Sequence, residues 1–448
     1  MIVSSFEKSP QGKWYLKVEG KPFLYNSVEA YLKNKRMLPK IFSCCTKAGY
    51  SILSLWLSWR EVEFEEGNYD FASLQKIIDL AKEYDLRVEI VWGGTNFCDK
   101  LDVRLVPDWI LLNKTYLLHD KSKNPIYVSG NDMGMCNVAN AKSKKLLAIE
   151  KKVLLSIIEY LKNNDTTHRV VLVRLANDIN NNGYASGKSD TIKYINSLAK
   201  AVNSADYKIA TTITISNWYQ DEFDKDIDAL QCINAQGIST FVPNVSFTRK
   251  IFKDGNATKF KYVSANAAYE NSTSHIVTAL CNGGFYCIYR LNDDVLWDRP
   301  GIYDEQYNIK PIAVKLNDFN LSMRKISKLI AKAPAENMLG FNTEYDGMPD
   351  MYYRGLKTIN GLNVGYITRC NGSVGLMVFN ENCFYCITDS LGTFFFEKQM
   401  VCEVGYFDEN DRWVTTEKRE AMLYDTMFYY NCNCRECLKM YSTDIELL

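Results

Sequence analysis

The sequence predicts a parallel (β/α)8 barrel followed by a small antiparallel β-sandwich, and three observations support this prediction. The chain has 448 residues, which is enough for one large barrel and a satellite domain. Between residues 45 and 335, short apolar runs alternate with longer amphipathic stretches, as expected for strands joined by helices. After Pro334 the pattern changes to alternating segments separated by Gly and Asn turns. We therefore expect a barrel over 1–335 and a β domain over 336–448.

The barrel prediction depends on a count of about eight strand–helix units. A first strand is expected near residue 20, in the run GKPFLYNSV. Seven further apolar runs predict strands at 51–57, 88–92, 170–175, 209–215, 239–242, 260–263 and 285–289. Between them, apolar residues recur every three to four positions at 71–83 and 144–162, which predicts helices. A helix over 312–333 would close the barrel. Eight such units are typical of a closed parallel barrel.

The predicted β domain consists of strand and hairpin segments. Its segments read GLNVGYITR, GSVGLMVFN, CFYCITDSLGTFFFE and MVCEVGYFDENDRWV. Alternation of apolar and polar residues in such runs is the pattern of half-buried strands, and the Gly and Asn residues between them favour tight turns.

Composition and charge exclude several classes of partner. The chain carries 53 Lys and Arg against 53 Asp and Glu, so its net charge is zero, and nothing electrostatic favours a nucleic acid or an anionic membrane. The first residues lack the features of a secretory signal, and no apolar run approaches the ~18 residues of a membrane span. We therefore expect a cytoplasmic protein with reduced cysteines. The sequence leaves the oligomeric state open.

No cofactor or metal is predicted. Dinucleotide and phosphate-loop motifs are absent, and the three histidines share no metal-ligand spacing. The cysteines at 383 and 386 together with those at 432, 434 and 437 offer an imperfect zinc-site spacing. The alternative, which we prefer, is that these cysteines are small apolar residues of strands or free thiols.

Functional residues of a barrel lie after the carboxyl ends of its strands. The second predicted strand is followed by WREVEFEEGNYDF, the third ends at Trp92 and continues GGTN, and the fourth ends in LAND, which contains Asn177 and Asp178. These segments resemble retaining glycoside hydrolases of the large (β/α)8 clan, especially the family 35 and 42 β-galactosidases. Those proteins read W-E-x-x-E-P-x-x-G-x-[FY]-D-F after strand two and V-E-N-E at strand four. GKPFLYNSVEAY and GYFDENDRWVTTEKR are similar to their opening segment and to a segment of their β domain.

The resemblance implies a carbohydrate pocket but an incomplete catalytic pair. Retaining hydrolysis uses two carboxyl groups about 5–5.5 Å apart. Asp178 occupies the position of the acid/base glutamate and is one methylene shorter, while Ala265 falls at the nucleophile position after strand seven. Glu270 is the nearest carboxylate in sequence; it would serve either as a catalytic group or as the acidic start of the next helix. Arg60 also replaces a family glutamate.

The resemblance and the positions at strand ends also suggest ligand contacts. The residues predicted to bind the ligand are Asn177, Trp59, Trp92, Trp218, Tyr219, Asn266 and Tyr289. The resemblance implies that Asn177 bonds a sugar hydroxyl, whereas Trp59 and Trp92 are equally consistent with sugar platforms and with barrel packing.

Our leading hypothesis is therefore a glycoside-hydrolase-like protein with weak or absent hydrolysis. One alternative is an active hydrolase of an unusual glycoside that uses Asp178 and Glu270. The other is a scaffold that docks a protein partner.

Overall fold

The computed structural model describes residues 1–30, 35–95, 105–130, 134–179, 186–216, 229–240, 244–252, 259–265, 270–293, 301–342, 353–359, 361–370 and 372–442. The helices are α1 Leu38–Lys47, α2 Trp59–Val62, α3 Ala72–Glu83, α4 Asp108–Leu111, α5 Lys144–Asn164, α6 Lys188–Ser204, α7 Val245–Phe252, α8 Ser272–Cys281, α9 Val314–Arg324 and α10 Ser327–Lys332. Short 3-10 turns span Lys35–Met37, Pro311–Ala313 and Ala335–Asn337.

The strands of the first three-quarters of the chain are β1 Ser4–Lys8, β2 Trp14–Val18, β3 Lys21–Phe23, β4 Ser27–Ala30, β5 Ile52–Ser58, β6 Arg87–Gly93, β7 Tyr127–Gly130, β8 Gly134–Asn137, β9 Val170–Ala176, β10 Ala210–Ser216, β11 Ala235–Thr240, β12 Phe260–Ala265 and β13 Phe285–Ile288. The remaining strands are β14 Met338–Asn342, β15 Tyr353–Ile359, β16 Leu362–Thr368, β17 Val374–Asn380, β18 Cys383–Thr388, β19 Gly392–Phe396, β20 Val401–Phe407, β21 Trp413–Arg419, β22 Met422–Tyr424, β23 Met427–Cys432 and β24 Leu438–Tyr441.

Eight parallel strands close into the predicted barrel. Their order around the barrel is β4, β5, β6, β9, β10, β11, β12 and β13, and β13 pairs with β4 to complete the circle. The strands are buried on both faces, as in β5 with its sequence ILSLWLS, because helices cover a parallel sheet from outside. The barrel prediction is confirmed.

Three of the predicted elements differ from the structure. The strand predicted at 239–242 is β11, Ala235–Thr240, whose sequence AQGIST lacks an apolar run. The run GKPFLYNSV divides between β3 and the start of the barrel strand β4. The helix predicted over 312–333 is interrupted at Lys325 and Ile326, which separate α9 from α10.

The antiparallel sheet of β1, β2 and β3 lies at the amino end of the barrel. Phe6 of this sheet stacks on Phe260, the first residue of β12, with ring centroids 5.0 Å apart. The backbone N–H of Val3 donates to the carbonyl of Lys208, just before β10. The small sheet thus closes the end of the barrel opposite to the strand ends where function is expected.

The C-terminal β domain consists of two antiparallel sheets. One has the order β14-β17-β18-β24-β20-β21 and the other β15-β16-β19-β23-β22. Buried aromatic residues such as Tyr366, Phe384, Phe394 and Phe396 form their common core. The predicted β domain is confirmed, and the domain boundary at residue 335 stays a prediction.

Candidate functional site

The end of the fourth barrel strand, β9, brings Asn177 and Asp178 to the carboxyl end of the barrel. The backbone of Asp178 is left-handed, with φ of 48°, a conformation that Asp tolerates better than most residues. Its side chain is almost buried, at 6% exposure, and its backbone N–H donates to Thr214 Oγ1 at 2.8 Å. The chain therefore turns immediately after β9 and is fastened to the neighbouring strand β10.

The hydroxyl of Thr214 joins these two residues. Its Oγ1 lies 2.7 Å from Asn177 Oδ1 and 3.0 Å from Asp178 Oδ1. A hydroxyl has one proton to donate and two lone pairs to accept with. The shorter contact indicates that the proton goes to Asn177.

A buried group of three charged residues lies directly beneath this strand end, and we call it the barrel ion triad: Glu29, Glu89 and Arg174. Arg174 Nη1 lies 2.5 Å from Glu29 and Nη2 lies 2.6 Å from Glu89, and none of the three is more than 2% exposed. Glu89 also accepts hydrogen bonds from Ser54 and Thr212.

Electrostatics of the triad follow from burial and charge pairing. Burial raises the pKa of Glu29, although the positive charge of Arg174 and the indole N–H of Trp56 act against that rise. Burial alone would lower the pKa of Arg174, but Glu89, Tyr262 and Glu29 outweigh it and keep the guanidinium charged. Arg174 therefore balances one of the two negative charges of the triad while its hydrogen bonds hold both carboxylates in the barrel interior.

The triad was not among the predicted features, although the sequence contains a signal for it. Glu29, Glu89 and Arg174 each stand next to apolar residues in a barrel strand, and β9 is apolar apart from Arg174. A charged residue in such a position is almost never buried without a partner, so three of them predict an internal ion-pair group.

Trp59 and Trp92 are fully buried, at 0% exposure. The indole N–H of Trp59 donates to Glu63 at 2.7 Å, and that of Trp92 donates to Glu150 at 2.9 Å. The two rings pack together with centroids 6.3 Å apart. These contacts support the barrel-packing alternative for both tryptophans.

Glu150 is the buried acceptor that holds the end of the third barrel strand. Besides Trp92, it accepts from the backbone N–H of Thr95 at 3.1 Å and from the hydroxyl of Tyr194 at 2.6 Å. Burial raises the pKa of Glu150, and these hydrogen bonds oppose the rise.

Glu270 is exposed and directly precedes Asn271, the N-cap residue of α8. This is the helix-start position that the sequence offered as the alternative to a catalytic role. Ala265 is the last residue of β12, in register with Thr240 of β11 and Ile288 of β13. The assignment of Ala265 to the family position of the nucleophile stays a prediction.

The remaining predicted residues divide into two groups. Tyr289 follows β13 directly and is half-buried, with the guanidinium of Arg290 5.6 Å from its ring centroid. Trp218, Tyr219 and Asn266 lie outside the described residues. The roles of the predicted residues in binding and catalysis stay predictions.

The zinc alternative finds no support in the part of the chain that the structure describes. No group of three or more His, Cys, Asp or Glu side chains in these residues could hold a metal ion. Cys383 and Cys386 both lie in β18, where an odd spacing directs the two side chains to opposite faces of the sheet. Across the same described ranges, no helix is both long and apolar enough to span a membrane.

Comparison with known families identifies a related segment. Residues 32–119 match the model of the glycoside hydrolase family 42 β-galactosidases. The predicted resemblance to β-galactosidase-type glycoside hydrolases is confirmed. The matched segment contains β5 and β6 together with Trp59 and Trp92. It stops before Asp178 and Ala265. No curated protein sequence matches this chain.

Solved structures of several glycoside hydrolases share the fold. A family 30 endoxylanase from Clostridium papyrosolvens C71 is 10% identical, with a TM-score of 0.50 over 94% of this chain and 96% of its own. A β-galactosidase from Bacillus circulans sp. alkalophilus is 10% identical, with a TM-score of 0.53 over 70% of this chain and 58% of its own. An exo-β-1,4-mannosidase from Opitutaceae bacterium strain TAV5 is 12% identical, with a TM-score of 0.52 over 74% of this chain and 63% of its own. The chain therefore has a glycosidase-type fold.

Proposed function

We propose that this glycoside-hydrolase-like protein binds a carbohydrate at the barrel mouth and hydrolyses glycosides weakly or not at all. The single observation that carries the binding proposal is the arrangement of Asn177. Its Oδ1 is occupied by Thr214 and Arg174, and no group among the described residues pairs with its Nδ2. A half-buried amide whose two N–H bonds are unpaired within the described part of the chain suits a ligand rich in hydroxyl oxygens.

The proposal of weak hydrolysis rests on the carboxylates near Asp178. Double displacement requires a second carboxyl group about 5–5.5 Å from the acid. Glu29 and Glu89, the acidic members of the barrel ion triad, are both bonded to Arg174 and buried beneath the site. Glu270 stands exposed at the start of α8, and Ala265 supplies no carboxylate at the family position of the nucleophile.

The short side chain of Asp178 also supports the proposal of weak hydrolysis. Aspartate in place of glutamate withdraws the carboxyl group by roughly 1 Å, and a misplacement of that size can cost about a hundredfold in rate. In this protein the backbone of Asp178 is also fixed by its N–H bond to Thr214, so the strand end has little freedom to compensate.

Two assays on the same preparation test the proposal. One measures the affinity for galactose, mannose and xylose by calorimetry, and the other measures nitrophenol release from their nitrophenyl β-glycosides. We expect measurable affinity for at least one sugar and a turnover that Asp178→Asn leaves within about twofold. The expected insensitivity follows because double displacement needs a second carboxyl group, which Ala265 does not supply at the family position of the nucleophile.

Two outcomes would overturn parts of the proposal. If the wild type turns over a glycoside and both Asp178→Asn and Glu270→Gln abolish that turnover, the protein is an active hydrolase that uses these two carboxylates in catalysis. Absence of affinity for every glycan tested would remove the carbohydrate site and favour the scaffold alternative.

A further inference from the structure

We infer that Thr214 and Arg174 are positioning residues that fix the side-chain amide of Asn177 with its N–H2 group turned toward the barrel mouth. The inference rests on the proposed carbohydrate site, because it states which protein groups set the hydrogen-bonding direction of that site. It concerns residues of this chain that the family resemblance does not assign.

Hydrogen-bond counting determines the orientation of the amide. Arginine has donors and no acceptor, so the Asn177 atom that lies 3.3 Å from Arg174 Nη1 is the oxygen Oδ1. Thr214 Oγ1 already accepts the backbone N–H of Asp178, which leaves its proton for Oδ1 at 2.7 Å. Both acceptor sites of Oδ1 are then occupied. A flipped amide would place N–H groups against the donors of Arg174.

The barrel itself, rather than a loop, holds the two positioning residues. The guanidinium of Arg174 is fixed at both ends by Glu29 of β4 and Glu89 of β6, in the fork geometry that arginine favours. Thr214 is fully buried on β10. The amide of Asn177 is therefore pre-oriented by four barrel strands before any ligand arrives.

The same count extends to Asp178. Thr214 Oγ1 also lies 3.0 Å from Asp178 Oδ1, but its single proton is committed to the shorter, 2.7 Å contact with Asn177. The N–H2 group of Asn177 is therefore the donor that this inference assigns to the strand end, and the ligand that fits it offers acceptor oxygens.

A set of threonine variants tests the positioning role. Thr214→Val removes the hydroxyl at nearly constant volume, and Thr214→Ser retains it. Thr211→Val is the matched control, because Thr211 is also fully buried on β10 but gives its hydroxyl to Asn234 at 2.9 Å. Thermal unfolding establishes that each variant is folded.

The first measurement reads the amide directly, without a ligand. With ¹⁵N-labelled asparagine, the side-chain N–H2 signal of Asn177 is assigned by its loss in Asn177→Ser. We expect this signal to shift or split into two orientations in Thr214→Val and to stay unchanged in Thr214→Ser and Thr211→Val. An unchanged signal in a folded Thr214→Val variant would overturn the inference.

The second measurement is the affinity for galactose. We expect Thr214→Val to weaken binding about tenfold, the loss of one well-placed hydrogen bond, and Thr214→Ser to weaken it by no more than about twofold. If the amide signal responds but wild type binds no sugar, the positioning inference stands and the proposed function fails. If wild type binds sugar while Thr214→Val changes neither signal nor affinity, the inference fails and the proposed function stands.

Discussion

Arg174 Nη2 lies 2.6 Å from a carboxylate oxygen of Glu89 in the interior of the barrel, where neither side chain is more than 2% exposed. Burial of charge at this depth is tolerated because every carboxylate oxygen of Glu29 and Glu89 has a partner, with Trp56, Ser54 and Thr212 completing the group. The barrel ion triad thus joins β4, β6 and β9 below the proposed site and pairs both of its glutamates with Arg174. Four predictions follow from this group and from three other buried or paired carboxylates.

Arg174→Met should destabilise the protein by about 3–5 kcal/mol, because it leaves two buried glutamates without a counter-charge. Urea denaturation at pH 7 measures the loss. Arg412→Met is the control, since Arg412 is 74% exposed and its pair with Asp408 should contribute at most about 1 kcal/mol. Equal losses in the two variants would contradict the proposed energetic role of the triad.

The Arg419–Glu436 pair should make part of the stability dependent on pH. Two hydrogen bonds of 2.7 and 2.8 Å join the guanidinium to the carboxylate. Burial opposes ionisation of Glu436, but Arg419 and Asn433 outweigh it and lower its pKa to about 2. Since the unfolded pKa is about 4.3, this contribution is complete above that pH and is lost as the pH falls toward 2.

We therefore expect Glu436→Gln to cost about 1–2 kcal/mol of unfolding free energy at pH 7 and almost nothing near pH 2. Urea denaturation at pH 7, 4 and 2.5 measures this difference, and Glu66→Gln at an exposed site serves as the control. A cost that is the same at pH 7 and pH 2.5 would show that the ion pair is not its source.

Thr273→Val should loosen the contact between the barrel and the β domain. Thr273, on α8, donates to the buried carboxylate of Asp389 at 2.7 Å, together with Ser373 and the backbone N–H of Val374. Burial raises the pKa of Asp389, and loss of one donor increases the cost of its charge. We expect a loss of about 1–3 kcal/mol and faster amide exchange along α8.

The control for this variant is Thr393→Val, which removes an exposed hydroxyl bonded to Asn431 at 2.8 Å. If amide exchange in α8 is equally slow in both variants, the hydrogen bond from Thr273 to Asp389 does not stabilise this helix.

Glu150→Ala should disturb the third strand end and its tryptophan. The substitution leaves the N–H of Trp92, the N–H of Thr95 and the hydroxyl of Tyr194 without their buried acceptor. We expect a loss of about 3 kcal/mol or more and a change in tryptophan fluorescence. Glu159→Ala, on the exposed face of the same helix, should change neither. A stable Glu150→Ala variant with unaltered fluorescence would contradict this assignment.

The fold was largely predictable because most barrel strands are short, apolar on both faces and separated by amphipathic helices. The strand that was misplaced, β11, shows the limit of this signal. Gly237 of β11 lies against the ring of Tyr262 in the neighbouring strand β12. A Cβ atom at position 237 would come within 2.4 Å of ring carbons, so the neighbouring strand requires glycine at this position of β11. Hydrophobic periodicity within one segment contains no such information.

The candidate site was predictable in part for a similar reason. Asn177 and Asp178 follow a clear apolar strand, so their place at a strand end could be derived from the sequence. The burial of Trp92 could not, because its partner Glu150 lies 58 residues away on a helix. The hydrogen bonds from Thr214 likewise depend on the pairing of β9 with β10, which only the structure gives.

The most direct test of the central claim is a calorimetric titration of the wild-type protein and the Asn177→Ala variant with the sugar that binds best among galactose, mannose and xylose. We expect a saturable signal for the wild type and an affinity at least about tenfold weaker for the variant, which lacks the oriented amide. Equal affinities in the two proteins would show that Asn177 does not bind the sugar, and the absence of any signal with all three sugars would show that the barrel mouth is not a site for them.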